Sequence, residues 1–170
     1  MMFLTPEVIF KNVEAITPDY LAGRGITALV LDVDNTLTAD GSQELEPSVR
    51  AWLDGMQQAG VALMIVSNNT PARVMQYTRK LGLPGIPFAC KPLPLGLIAA
   101  NLRLRRPHRQ LAMVGDQIYT DRLAAALYGI PCLYVMPRTP IEKTASVRLK
   151  RRLEPHWIQN YYRKGGRLHE

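Results

Sequence analysis

The chain has 170 residues, 47% of them hydrophobic and 21% charged, with a formal net charge of +7. That balance excludes a disordered chain and fits one ordinary globular domain. No apolar run approaches the roughly 20 residues needed to cross a bilayer, and "MMFLTPEVIFKNVEAITPDY" has acids and a proline where a secretory signal needs a basic start. A cytoplasmic protein is expected.

The charge is uneven. Residues 138–170 hold nine Lys/Arg against three Glu, a net of +6, so residues 1–137 carry only +1. The expected organisation is therefore a near-neutral core over 1–137 and a basic, aromatic C-terminal tail over 138–170, joined through "MPRTPIEKT" at 136–144. A basic tail on a neutral body suits an anionic surface, membrane or nucleic acid. Cys90 and Cys132, far apart in sequence, are expected as two buried thiols of a reducing compartment rather than a disulfide or a metal pair.

In chain order, "ITALVLDVD" (26–34), "VALMIVSN" (61–68), "GIPFACK" (85–91), "LAMVGD" (111–116) and "PCLYVM" (131–136) are apolar runs of strand length, the pattern of a parallel sheet buried on both faces. Val49, Trp52, Leu53 and Met56 recur at helical spacing between the first two; Val74, Tyr77 and Leu81 follow the second. Leu95, Ile98, Ala99 and Leu102 keep the same stripe after the third. These predict crossover helices with their stripes on the sheet. Thr70-Pro71 reads as an N-cap with proline in the first turn, and Gly82 and Gly129 as left-handed helix ends. The expected fold is α/β, a Rossmann-like three-layer sandwich around a central parallel sheet.

Polar residues gather where each strand ends, the edge at which open parallel sheets bind ligands. Asp32 and Asp34 follow the first run, Ser67, Asn68 and Asn69 the second, Lys91 the third, and Asp116 the fourth, with Asp121 five residues on. Helix capping explains such residues singly. It does not explain several carboxylates, a hydroxyl and an ammonium on one edge. Carboxylates gathered without arginine partners repel, and Mg²⁺, a hard cation with oxygen ligands, relieves the repulsion. A carboxylate is also a nucleophile towards phosphorus, with Lys91, Ser67 and backbone N–H groups neutralising the phosphoryl oxygens.

"DVDNT" (32–36), Ser67 in "IVSNN", Lys91 in "CKPLP" and "GDQIYTD" (115–121) resemble the four ordered motifs of the haloacid dehalogenase (HAD) superfamily phosphatases. With "LVLDVDNTL" and "KPLPLG", the chain is most similar to subfamily IIIA members of the YqeG type, relatives of the phosphatidylglycerophosphate phosphatases. The resemblance implies a phosphoric monoester hydrolase in which Asp32 is the nucleophile, forming an aspartyl-phosphate, and Asp34 the general acid and base. It implies Mg²⁺ held by Asp32, the Asp34 backbone and Asp116; Ser67, Asn68 and Lys91 on the substrate phosphate; and Thr36 and Asp121 in support, Asp121 orienting Lys91.

Caps in this superfamily are inserted between motifs. Here Asp34 and Ser67 are 33 residues apart and Ser67 and Lys91 are 24 apart, room for one helix and one strand each. No large cap domain is expected, so the site stays open to bulky esters such as a lipid headgroup, unless an oligomer partner closes it. The tail, with Trp157, Tyr161 and Tyr162 among basic residues, suits peripheral contact with anionic lipid on the inner membrane face. Leu149, Leu153 and Trp157 equally suit a last helix docked on the domain. The alternatives are a soluble nucleotide or sugar phosphate phosphatase, and an RNA- or ribosome-associated module with vestigial catalysis and aromatics stacked on bases.

Overall fold

The computed structural model describes residues 3–39, 42, 44–139 and 145–170. Most of the 136–144 joint therefore lies outside the described residues. Seven parallel strands form one sheet in the order β4-β3-β2-β5-β6-β1-β7. They are β1 (Val8–Phe10), β2 (Ala28–Leu31), β3 (Ala62–Val66), β4 (Gly85–Ile86), β5 (Leu111–Gly115), β6 (Cys132–Val135) and β7 (Leu168–His169). The helices are α1 (Pro18–Ala22), α2 (Pro47–Gln58), α3 (Pro71–Leu81), α4 (Leu95–Leu104), α5 (Leu123–Tyr128) and α6 (Ala145–Arg163).

Alternating strand residues sort the layers. Leu29, Leu31, Leu63, Ile65 and Val114 pack against α1, α2 and α3 through Leu21, Trp52, Leu53 and Tyr77. Val30, Met64 and Met113 face the other way, onto Leu97 and Ala100 of α4 and Ala124 and Ala125 of α5. Farther along that second face, Ile9 and Tyr134 meet Tyr161 of α6, with Trp157 and Ile158 packed beside them. The result is the expected three-layer sandwich. No large cap stands between the motifs among the described residues: α2 and β3 occupy the first gap, α3 and β4 the second.

β2 is the topological switch. From it the chain runs outward through β3 to β4, then returns to β5 on its other side. A crevice beyond the carboxyl end of a strand at such a reversal is where open α/β sheets bind ligands, and the residue that follows β2 is Asp32.

Four expectations need correction. Leu95, Ile98 and Leu102 do not face the sheet: they are exposed, and Gly96, Leu97 and Ala100 make the contact. Gly96 lies so close to Ala89 that an added Cβ would fall 2.6 Å from the alanine Cβ, which rotates the helix onto its small-residue side. On α6 the docked face likewise uses Glu154, Ile158 and Tyr161, while Leu149 and Leu153 point outward. Cys90 is exposed and Cys132 buried, rather than both buried. Thr70 caps α3 by position only, its hydroxyl making no cap bond, whereas Gly82 and Gly129 take the left-handed conformation at φ 67° and 83°.

Candidate active site

Asp32 leaves β2 with its backbone N–H still bonded to the Val114 carbonyl at 2.9 Å, so the strand pairing that ends at Leu31 and Val114 fixes where its carboxylate starts. The next turn closes on the Val33 carbonyl, which accepts from the N–H groups of Thr36, Leu37 and Thr38. That turn lets Thr36 Oγ1 donate to Asp116 Oδ1 at 3.1 Å, joining the loop after β2 to the loop after β5.

Lys91 arrives from the β4 side. The Asn68 side chain brackets its backbone, accepting from Lys91 N at 2.8 Å and donating to Lys91 O at 2.9 Å. So held, Lys91 Nζ donates to Asp32 Oδ1 and to Asp121 Oδ1, both at 2.7 Å. The second Asp121 oxygen accepts from Gln117 N at 3.1 Å. Asp121 thus has a partner on each oxygen. Gly115 makes this possible, since a Cβ there would stand 2.4 Å from Asp121 Cγ.

One oxygen from each of Asp32, Asp116 and Asp121 lies within 4.8 Å of the others, and all three residues are buried. Burial drives the Asp32 carboxyl up to about 7; the Lys91 ammonium opposes that shift, while the charges of Asp121 and Asp34 add to it. Burial also holds Asp116 well above the usual carboxyl range, against the pull of Arg151. For Lys91 the balance goes the other way: burial disfavours its charge, but the Asp121 and Asp32 carboxylates hold its pKa above the ordinary lysine value. Three carboxylates around two cations are still short of positive charge. A divalent cation with oxygen ligands fits that shortage.

The sequence suggested carboxylates with no arginine partners, and this is corrected. Arg151 of α6 donates to both the backbone carbonyl and the carboxylate of Asp116, and is itself held by Glu154 at 2.7 Å. Glu154 in turn accepts from Ile118 N at 2.7 Å, at the start of the π-helical turn Ile118–Arg122. Arg73 of α3 pairs with Asp34 at 2.5 Å, and Asn69 Nδ2 donates to the other Asp34 oxygen at 2.5 Å. The Asp34 carboxylate is therefore held by α3 and the loop after β3 rather than by Lys91, and it is partly exposed where the three clustered acids are buried.

The structure brings Asp32, Thr36, Lys91, Asp116 and Asp121 into one hydrogen-bonded group. Ser67 stands beside it, its Oγ accepting from Asn69 N and Nδ2. Asn68 is engaged with the Lys91 backbone instead of pointing its amide into the crevice. Arg73, Arg151 and Glu154 were not singled out in the sequence, and Asn69 was named only among the polar residues that follow the second strand. Arg73 had a signal, two residues past the proline that opens α3; Arg151 had none, as one basic residue in the run Lys150-Arg151-Arg152. Trp157 donates to the Tyr119 hydroxyl and Tyr161 is buried with its hydroxyl on the Arg167 carbonyl, so of the tail aromatics Tyr162 alone stays exposed among the described residues.

Known proteins resemble this chain in sequence and in fold. The family model described as mitochondrial PGP phosphatase matches residues 1–81. Probable phosphatase YqeG of Bacillus subtilis is 29% identical over 163 residues, covering 96% of this chain and 94% of that protein. The chloroplastic phosphatidylglycerophosphate phosphatase 1 of Chlamydomonas reinhardtii is 28% identical, over 92% of this chain but 61% of its own length. Among solved structures, a 4-nitrophenylphosphatase from Thermotoga maritima superposes with a TM-score of 0.57 at 15% identity, over 75% of this chain and 91% of its own. A haloacid dehalogenase-like hydrolase from Bacteroides fragilis does so at 0.56 and 17%, over 71% and 91%. These structural likenesses establish the fold.

Proposed function

We propose that the chain is a phosphatase of the haloacid dehalogenase superfamily, of the YqeG and phosphatidylglycerophosphate phosphatase-like kind, and that it hydrolyses a lipid-linked phosphomonoester through an aspartyl-phosphate on Asp32. The observation that carries this reading is Lys91 Nζ bridging Asp32 and Asp121 at 2.7 Å beside the buried Asp116. One Asp32 oxygen is thereby turned toward a fixed cation, and the other is left to attack phosphorus.

The roles follow from these contacts. Asp32 attacks, Lys91 and the Ser67 hydroxyl neutralise the phosphoryl oxygens, and Asp121 keeps Lys91 in place. Asp34, partly exposed, protonates the leaving alcohol and then takes a proton from the water that cleaves the acyl-phosphate. Arg73 and Asn69 hold Asp34 between these two acts. Asn68 fixes the Lys91 backbone, which makes it a positioning residue in place of a phosphate ligand. Asp32, the Asp34 backbone carbonyl and Asp116 would hold Mg²⁺, which offsets negative charge on the phosphoryl group when bound.

Phosphatidylglycerophosphate is the first ester to test, since a mouth with no large cap admits a headgroup still anchored in a membrane. The basic outer face of α6, with Leu149 and Leu153 exposed among Arg148, Lys150 and Arg152, supports peripheral contact with anionic lipid. No helix among the described residues is long and apolar enough to cross a membrane. The test is phosphate release from that lipid in mixed micelles, with Mg²⁺ and with a chelator, beside small soluble phosphomonoesters. Mg²⁺-dependent turnover of the lipid is expected. Turnover of the soluble esters alone would reassign the substrate to a nucleotide or sugar phosphate, and activity in Asp32→Asn would end the aspartyl-phosphate mechanism.

A further inference from the structure

Between Asp54 and Asp116 the chain contains no Asp or Glu, yet it holds eight Lys/Arg: Arg73, Arg79, Lys80, Lys91, Arg103, Arg105, Arg106 and Arg109. This stretch includes the edge strand β4, the outermost on that side, which α3 flanks on one face of the sheet and α4 on the other. On the α4 side, the stripe turned away from the sheet exposes Leu95, Ile98 and Leu102, the last at 73%, beside Phe88 and Leu93 of the loop between β4 and α4.

The loop is held firmly in that pose. Phe88 N donates to the Asn69 carbonyl, Ala89 N to the Ser67 carbonyl and Leu93 N to the Cys90 carbonyl. Phe88 itself adopts φ 47°, a left-handed conformation unfavourable for a bulky side chain, and it leaves the ring 59% exposed. Arg103 of α4 donates to the Gly85 carbonyl, so its charge sits beside β4.

We infer that the α4 side of this edge, formed by the 87–94 loop and the outer stripe of α4, adsorbs to the surface of an anionic lipid bilayer. Its composition selects that occupant. Exposed aliphatic groups insert among acyl chains, flanking arginines meet anionic headgroups, and the absence of carboxylates removes the repulsion that such a surface would otherwise exert. A second copy of the chain fits poorly, because a symmetric contact would set arginines against arginines. RNA fits poorly as well, since four of the five exposed apolar residues are aliphatic and give bases nothing to stack on. The surface is separate from the outer face of α6, which lies toward the other end of the sheet. It also stands whatever ester the site cleaves. Phe88 is three residues from Lys91, so adsorption would bring the mouth of the site to the headgroup layer.

The test is co-sedimentation of the full chain with vesicles of phosphatidylcholine alone and of an equal mixture of phosphatidylcholine and phosphatidylglycerol. The protein is expected to bind the mixed vesicles and not the neutral ones. Leu95→Ser with Leu102→Ser, and separately Arg105→Glu with Arg106→Glu, each weaken that binding by about tenfold or more. Both leave turnover of a small soluble aryl phosphate and the melting temperature unchanged, since all four side chains are exposed. Equal binding to both vesicle types, no binding to either, or full binding by both variants would overturn the inference. So would loss of binding only when Leu149, Leu153, Lys150 and Arg152 of α6 are replaced. A wild-type dimer in light scattering that both variants dissociate would assign the edge to a second copy instead, and salt-sensitive RNA binding lost in both variants would assign it to nucleic acid.

Discussion

Arg151 grips Asp116 at two points, donating to its main-chain carbonyl and to its carboxylate, although 35 residues separate them and they lie on different elements. The carboxylates of Asp32, Asp116 and Asp121, with Glu154 behind Arg151, are set against Lys91 and Arg151 and leave two net negative charges. A divalent cation would cancel them. Without Arg151 the same loaded group would keep one negative charge, which favours the metal and disfavours a phosphate dianion.

Arg151→Gln is therefore expected to bind Mn²⁺ several-fold tighter than the wild type and a phosphate analogue such as vanadate several-fold weaker. It also strands Asp116 and Glu154 in a buried setting, so the metal-free protein should lose about 3 kcal/mol of stability. Equilibrium denaturation with and without Mg²⁺ checks this; the metal should restore more stability in the variant than in the wild type. Weaker Mn²⁺ binding by the variant would contradict the charge argument.

The pH dependence of stability has a definite sign. Asp32 ionises near 3.8 in an unfolded chain but at about 7 when folded, because burial penalises its charge. Between those values the native state holds a proton that the unfolded state has lost. This stabilisation is complete below the unfolded value and disappears as pH rises through about 7, and Asp116, shifted in the same direction, adds to it. In chelator the melting temperature should fall as pH climbs over that window. Asp32→Asn should flatten the slope, and Mg²⁺ at neutral pH should raise the curve by binding the native state.

Gly115→Ala places a methyl group 2.4 Å from Asp121 Cγ. The carboxylate has to move, and both of its hydrogen bonds, to Lys91 and to Gln117 N, are disturbed. A loss of about 1–3 kcal/mol is expected from the overpacking alone, with turnover falling further than stability. Measuring kcat beside the denaturation midpoint separates the two, and a variant with normal kcat would show that Asp121 is not needed to hold Lys91.

Asn68→Ala removes both bonds that bracket the Lys91 backbone, at a cost of about 1–3 kcal/mol. If Asn68 positions Lys91, the effect on phosphate-analogue binding should match that of conservative changes at Lys91 and should be partly recovered by Asn68→Asp, whose carboxylate still accepts from Lys91 N. An unaltered affinity for the analogue would leave Asn68 a purely structural role.

What the sequence revealed and what it concealed divide along one physical line. Strands β2, β3, β5 and β6 are buried on both faces, so their apolar runs are continuous and legible, and the acids at their ends stand out against them. β1 and β7 are three and two residues long, too short for any pattern to form. The stripe of α4 misled because Leu95, Ile98 and Leu102 have a helical period without a buried face; small Gly96 and Ala100 take the close contact. Arg151, Arg73 and Glu154 were hidden because charged residues on helices ordinarily face solvent. Only the packing of α3 and α6 turns these particular ones inward, Glu154 to 2% exposure.

Because β2 pairs with β5, and Asp121 and Arg151 come later still, each contact that Lys91 or Arg151 makes with the clustered acids closes a loop of 30 residues or more. Such distant closures are slow and late in folding. A nascent chain still tethered before α6 would therefore display the arginine-rich flank with its leucines already outward, while hydrolytic capacity would emerge only once α6 has been made and docked.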